Sequence, residues 1–139
     1  MGLAGMKVVL ANGCFDLLHL GHLRHLQEAR MLGTFLVVSV TMDEHVGKGR
    51  GRPIQPIDER MAMLRGLQCV SAVTMCRNSL EALRQWKPNV FAKGYEYKDR
   101  LLLDEVKFCR ANNVKIAYTQ PRPAGYSTTQ IIGRMKQCA

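Results

Sequence analysis

Two histidines three residues apart, His19 and His22 in "NGCFDLLHLGH" (residues 12–22), flank a glycine just after a short apolar run. On a helical or near-helical segment that spacing brings both imidazoles to one side, and Gly21 between them lets a ligand approach the backbone. Imidazoles beside a helix N-terminus can donate hydrogen bonds to phosphate oxygens that gain negative charge during a displacement. Two other readings of the pair alone stay open: surface or half-buried histidines without chemistry, and a zinc site. Zinc would need His25 as a third ligand, and no cysteine or carboxylate lies at a matching offset.

Three further groups could bind anions or bases. Ser127-Thr128-Thr129 opens an apolar-periodic segment, where hydroxyls serve either as ordinary caps or, with free amides, as a phosphate site over which Arg122 can close. "GKGRGRP" (residues 47–53) sets Lys48, Arg50 and Arg52 among glycines, whose backbone amides can approach a polyphosphate closely; a solvated loop is the plainer reading. Arg60, on the first turn of the next helix, has the same two readings. In "FAKGYEYK" (residues 91–98), Tyr95 and Tyr97 could stack on a base and Glu96 could accept from base or sugar, or the aromatics could simply anchor a surface loop.

The elements that must position these groups follow from the apolar pattern. "KVVLA" (7–11), "FLVVSV" (35–40), 72–75, 90–92 and 114–118 read as strands. Residues 21–32, 57–67, 79–86, 101–112 and 127–136 read as helices, the last with Ser127 as N-cap and Gln130 completing a capping box. Alternation throughout predicts an α/β, Rossmann-like, doubly wound sheet of about five parallel strands with helices on both faces, forming one domain over 1–139. In such a sheet the loops after the first, second, fourth and fifth strands gather at the carboxyl edge, which would bring all four groups together.

Composition narrows the partners. The formal charge of +9 calls for a negatively charged partner, either nucleic acid or a phosphorylated small molecule. Basic residues clustered with glycines at a loop edge, and no RNA-binding motif, favour the small molecule; no nucleic acid partner is expected. Five scattered cysteines without a CxxC pair fit free thiols. No apolar run approaches the roughly 20 residues of a membrane span, and "MGLAGMKVVLANG" lacks a secretory pattern, so a cytoplasmic protein without membrane contact is expected.

"NGCFDLLHLGHLRHLQEARMLG" resembles the G-x-F-D-x-x-H-x-G-H opening of the cytidylyltransferase-like nucleotidyltransferases, and "RPAGYSTTQII" resembles their second motif. "RPIQPIDERMAMLRGLQCVSAV" and "KPNVFAKGYEYKD" look like the nucleotidyltransferase domain of ADP-heptose synthase, which adenylylates a heptose 1-phosphate. The glycerol-3-phosphate cytidylyltransferases are similar too, but carry a Gly-Asp-Asp-like sequence where this chain has Gly94-Tyr95-Glu96. The resemblance implies transfer of a nucleoside monophosphate, from ATP by preference, to a phosphorylated sugar with release of pyrophosphate. A CTP-dependent enzyme acting on glycerol 3-phosphate or another polyol phosphate is the alternative.

The resemblance also implies roles. His19, His22, Lys48 and Arg122 would stabilise charge on the reacting phosphates. Asn12, Gly13, Cys14, Phe15, Asp16 and Gly21 would form the first nucleotide loop; Ser127 and Thr128 would hold the β- and γ-phosphates; Lys93, Gly94, Tyr95 and Glu96 would line the base and ribose pocket. Lys48 and Arg60 would serve the acceptor side, Arg60 also holding its helix against the site. Mg²⁺ would enter with the triphosphate, with Asp16 as the nearest protein carboxylate. Relatives pair through the part matching residues 67–75, which implies a homodimer.

Overall fold

The computed structural model describes residues 5–121 and 125–138. Five strands, β1 (Val8–Gly13), β2 (Phe35–Thr41), β3 (Ala72–Cys76), β4 (Val90–Lys93) and β5 (Lys115–Tyr118), form one all-parallel sheet in the order β3-β2-β1-β4-β5. Five helices, α1 (Leu20–Met31), α2 (Ile57–Arg65), α3 (Ser79–Trp86), α4 (Leu103–Ala111) and α5 (Thr128–Cys138), alternate with the strands. This is the expected Rossmann-like α/β fold. Among the described residues no helix is long and apolar enough to cross a membrane.

Strand alternation builds two cores. On β1, Val9 and Ala11 face Leu26 and Ala29 of α1 and Met61 and Leu64 of α2. Val8 and Leu10 face the opposite way, toward Ala82 and Leu83 of α3 and Cys109 of α4. The period-2 backbone thus turns one apolar run into two buried surfaces, which is why the sheet needs helices on both sides.

Element ends move by a residue or two from the sequence pattern. β1 continues past Ala11 because Asn12 and Gly13 keep their pairing with Ser39 and Val40. The start of α4 lies at Leu103, not 101, and α2 ends at Arg65, where Gly66 serves as C-cap. Asn78 caps α3 through Glu81 N (2.9 Å), and Lys87 takes a left-handed conformation (φ 41°) before Pro88 stops it. Ser127 Oγ accepts from Gln130 N at 3.1 Å, as a cap should.

The strand order reverses direction of growth between β1 and β4. A crevice opens at such a point beyond the carboxyl ends of the strands, and the first-strand loop, the fourth-strand loop and the N-terminus of α1 border it.

Candidate active site

A cleft of about 510 Å³ occupies that crevice. Asn12 to Phe15, Gly21 and His22 line it from β1 and α1; Lys48 from the glycine loop; Lys93, Gly94 and Glu96 from the end of β4; Thr128 from α5. Sequence reasoning placed all of these at one edge, and the fold brings them around one space. Lys48 reaches it from a loop whose Gly47, Gly49 and Gly51 have φ of 66°, 91° and 81°, a repeated left-handed path open to glycine and strained for other residues.

The two histidines are locked to each other. His19 is the N-cap of α1; its Nδ1 accepts from His22 N (3.4 Å), and His22 Nδ1 accepts from His19 N (3.3 Å). The rings stack with centroids 3.8 Å apart. Because each Nδ1 acts as an acceptor, each neutral ring carries its proton on Nε2, the donor that a phosphate oxygen requires. His22 lines the cleft, whereas His19 supports it from the cap position.

The loop before them departs from ordinary backbone. Phe15 and Leu17 both have φ of 52°. Such conformations persist only where the surroundings impose them. Phe15 is buried and Leu17 N donates to Gln55 Oε1 at 3.0 Å. Between them Asp16, 2% exposed, accepts from Ile54 N (2.8 Å), Gln55 N (3.0 Å) and Arg52 Nε (3.0 Å). Burial alone would push this carboxyl up, but the two amides and the guanidinium outweigh it and hold it below its ordinary range. Both oxygens accept hydrogen bonds. Asp16 ties the first loop to the segment leading into α2.

Asp16 also gives a pH prediction. Because its folded value is depressed, its stabilisation is fully present above the unfolded value of 3.8 and is lost as pH falls below that, through the folded value. Asp16→Asn, which sets an amide NH₂ against backbone donors, should cost about 1–3 kcal/mol at neutral pH. Urea titrations of both proteins should show this gap constant from about pH 7 down to about 5 and closing below about 4.

Arg60 corrects one expectation. It was expected both to hold its helix against the site and to bind substrate; it is fully buried, which fits the first role and not the second. Its nitrogens donate to the carbonyls of Cys14 (2.7 Å), Thr41 (2.9 Å) and Gln55 (2.9 Å) and to Asp43 (2.5 Å). One side chain thereby joins the loops after β1 and β2 to α2.

The second motif closes on the first. Thr128 Oγ1 donates to Asp16 O, and Arg52 reaches Thr129 Oγ1 at 3.5 Å. A Cβ on Gly21 would lie 2.7 Å from Tyr126 O and 2.9 Å from His19 Cε1. Gly21→Ala should thus push α5 off the histidine loop, lowering turnover at least about ten-fold while costing about 1–3 kcal/mol of stability; paired kinetic and thermal measurements check both. Ser127 does not line the cleft and acts as the cap; Arg122 lies outside the described residues.

At the β4 side, Lys93 is nearly buried, its Nζ 4.3 Å from the Tyr97 ring centre and 5.1 Å from that of Phe91. Burial pushes its pKa down, and Glu105 and then Glu96 partly offset this. Tyr97, not Tyr95, lines the cleft. The tight turn over Tyr95–Tyr97 sends the two rings apart, and Tyr95 meets Lys98 instead. Sequence reasoning also passed over Thr119 and gave His25 only a zinc role. His25 Nδ1 pairs with Thr119 Oγ1 at 2.7 Å, and Thr119 N donates to Lys93 O at 2.9 Å. The signal for His25 was its helical spacing, three residues beyond His22.

An open parallel sheet of this order, with paired histidines and a Ser-Thr-Thr helix start at its reversal point, defines a nucleotidyltransferase domain. The sequence matches the cytidylyltransferase-like family over residues 10–134, and the chain belongs to that family. It is 37% identical over 140 residues to the bifunctional protein HldE of a Nitratiruptor species, covering 96% of this chain and 29% of the relative. Over 137 residues it is 38% identical to the HldE protein of Vibrio atlanticus, covering 95% of this chain and 28% of the relative. The chain thus spans less than a third of the length of these curated relatives.

Among solved structures, the lipopolysaccharide core biosynthesis protein of Thermoplasma volcanium superposes with a TM-score of 0.72 at 30% identity, over 86% of this chain and all (100%) of that one. Pantothenate synthetase of Thermus thermophilus, at 16% identity and a TM-score of 0.59, shares the fold, over 81% of this chain and 55% of that one.

Proposed function

We propose that this chain transfers a nucleoside monophosphate, from ATP by preference, to a phosphorylated sugar such as heptose 1-phosphate, releasing pyrophosphate. The observation that carries this reading is the direct contact of the two motifs. Tyr126 O against Gly21 and Thr128 Oγ1 on Asp16 O join the histidine loop and the start of α5 into one continuous wall. The likeness to HldE proteins and to a lipopolysaccharide core biosynthesis protein supports a sugar phosphate acceptor. The family's description as cytidylyltransferase-like keeps CTP with a polyol phosphate as the second reading.

In the reaction an acceptor phosphate oxygen bonds to the α-phosphorus of the triphosphate, the bond from that phosphorus to the β-bridging oxygen breaks, and pyrophosphate leaves. With a second pKa near 6, a phosphate monoester is already a dianion at neutral pH, so no protein base is required. His22 Nε2–H, steadied by its stack on His19, donates to the α-phosphate as charge builds; Lys48 and Arg122 neutralise the reacting and leaving phosphates. Ser127 caps Gln130 N, and the remaining amides of the α5 N-terminus serve the β- and γ-phosphates. Lys93 and Gly94 face the ribose and base. Mg²⁺ would come with the triphosphate and would screen its charge. The enzyme works in the cytoplasm as a homodimer.

A pyrophosphate-release screen crossing four nucleoside triphosphates with phosphorylated sugars and polyols tests this. ATP with a sugar 1-phosphate should give the highest rate; CTP with glycerol 3-phosphate as the best pair would select the second reading.

A further inference from the structure

Asn12 stands near the carboxyl end of β1 and lines the cleft, yet its side chain is held by the β2 and β3 half of the sheet. Its Nδ2 donates to Ser39 O of β2 at 3.0 Å and to Cys76 Sγ of β3 at 3.1 Å. A carbonyl oxygen can only accept, so the atom of the carboxamide that faces Ser39 must be the nitrogen. Cys76 agrees with this orientation. Its thiol donates to Val40 O at 3.7 Å, which leaves the sulfur to accept from Asn12. Cys76 is fully buried, and burial pushes its pKa up, so it remains the neutral thiol that this arrangement needs. With both hydrogens of Nδ2 engaged, Oδ1 is the group that Asn12 keeps for a ligand.

We propose that Asn12 is a specificity-determining residue for the acceptor, its Oδ1 taking a hydrogen bond from a sugar hydroxyl. The inference deepens the proposed function and rests on it, since it requires a hydroxylated acceptor in the cleft. The resemblance groups Asn12 with the first nucleotide loop, but a carboxamide oxygen carries partial negative charge and no proton. It repels phosphate oxygens and suits an O–H donor.

The lean of the side chain selects which hydroxyl. In the order β3-β2-β1-β4-β5, the partners of Asn12 lie on one side of β1. Lys93 and Gly94, which face the ribose and base in the proposed reaction, follow β4 on the other side. Lys48 reaches the cleft from the loop after β2, so an acceptor whose phosphate meets Lys48 carries its hydroxyls past the end of β1 on the Asn12 side. Cys76 does not line the cleft and acts as a positioning residue, fixing the carboxamide from within the sheet.

The test measures binding of heptose 1-phosphate and its monodeoxy analogues to the full chain by calorimetry. Mg²⁺ and an unreactive ATP analogue with a methylene bridge between the α- and β-phosphorus are present throughout. At least one monodeoxy sugar should bind the wild type about ten-fold more weakly than the parent, because it leaves Oδ1 unpaired. In Asn12→Ala the parent should weaken by about the same factor and that analogue hardly at all, so the discrimination disappears. Affinity for the ATP analogue, and its preference over the monodeoxyribose forms, should stay unchanged. A merely structural role would lower the melting temperature and weaken every ligand alike.

Discrimination between the sugars that survives in Asn12→Ala overturns the inference. So does a loss confined to the nucleotide, which would make Oδ1 a ribose contact. Should Asn12→Ala fail to fold, Cys76→Ala frees the carboxamide to turn while leaving it in place. It should reduce the discrimination about three-fold at unchanged nucleotide affinity, and Cys76→Ser, which again offers an acceptor, should restore it; unaltered discrimination in Cys76→Ala overturns the inference. A wild type that binds these sugars but transfers no nucleotidyl group from ATP to any of them overturns the proposed function instead.

Discussion

Replacing His22 by alanine should lower kcat for nucleotidyl transfer by about 10²–10⁴-fold, with a small change in KM for the nucleotide. The ring lines the cleft and its Nδ1 accepts from His19 N, so in the proposed mechanism Nε2 is the atom that donates to substrate. A donor that strengthens as charge develops acts on the transition state more than on the bound ground state, which places the loss in kcat. Some stability goes too, since His22 Nδ1 holds a backbone amide at the helix start, about 0.5–2 kcal/mol for a cap of this kind. His19→Ala removes the cap itself and the stacking partner, so it should cost at least as much stability and also misplace His22. Single-turnover kinetics beside thermal unfolding separate these contributions. Near-normal turnover in His22→Ala would remove the catalytic role.

Arg60→Ala should be the most destabilising single change at this end of the sheet, about 3–5 kcal/mol. The loss strands the Cys14, Thr41 and Gln55 carbonyls and leaves Asp43 without its partner, in a protein whose total stability is expected to be only about 5–15 kcal/mol. Lysine cannot substitute, because one ammonium cannot span acceptors on three segments that a guanidinium fork reaches. Urea unfolding of Arg60→Ala and Arg60→Lys measures this directly. A residue that bound the acceptor would behave oppositely, raising KM for the acceptor at unchanged stability.

Arg60 also marks where the sequence stops being legible. In "PIDERMAM" it follows Asp58 and Glu59 on an opening helical turn, a context that reads as solvated or substrate-facing. Its burial depends on carbonyls from Cys14 and Thr41, which are 46 and 19 residues away. Asp16 is similar. Its partners Arg52, Ile54 and Gln55 lie 36 to 39 positions on, and local pattern holds no trace of them.

What could be read was periodic or punctuated. The runs "KVVLA" and "FLVVSV", the stops at Gly33 and Pro88, and Ser127 three residues before Gln130 gave element types and the edge where the loops gather. The placement of β4 beside β1, which makes the crevice, came only with the fold. So did the divergence of Tyr95 from Tyr97, because a turn of three residues over Tyr95–Tyr97 cannot keep both rings on one side.

The central claim is that one nucleotidyl group passes from a triphosphate to the phosphate of an acceptor in this cleft. Supplying α-³²P-labelled ATP, Mg²⁺ and a sugar 1-phosphate, and following label and phosphates together, tests it most directly. The label should appear in the acceptor, one equivalent for each pyrophosphate released. Orthophosphate as the leaving product, or label that never enters any phosphorylated acceptor, would contradict it.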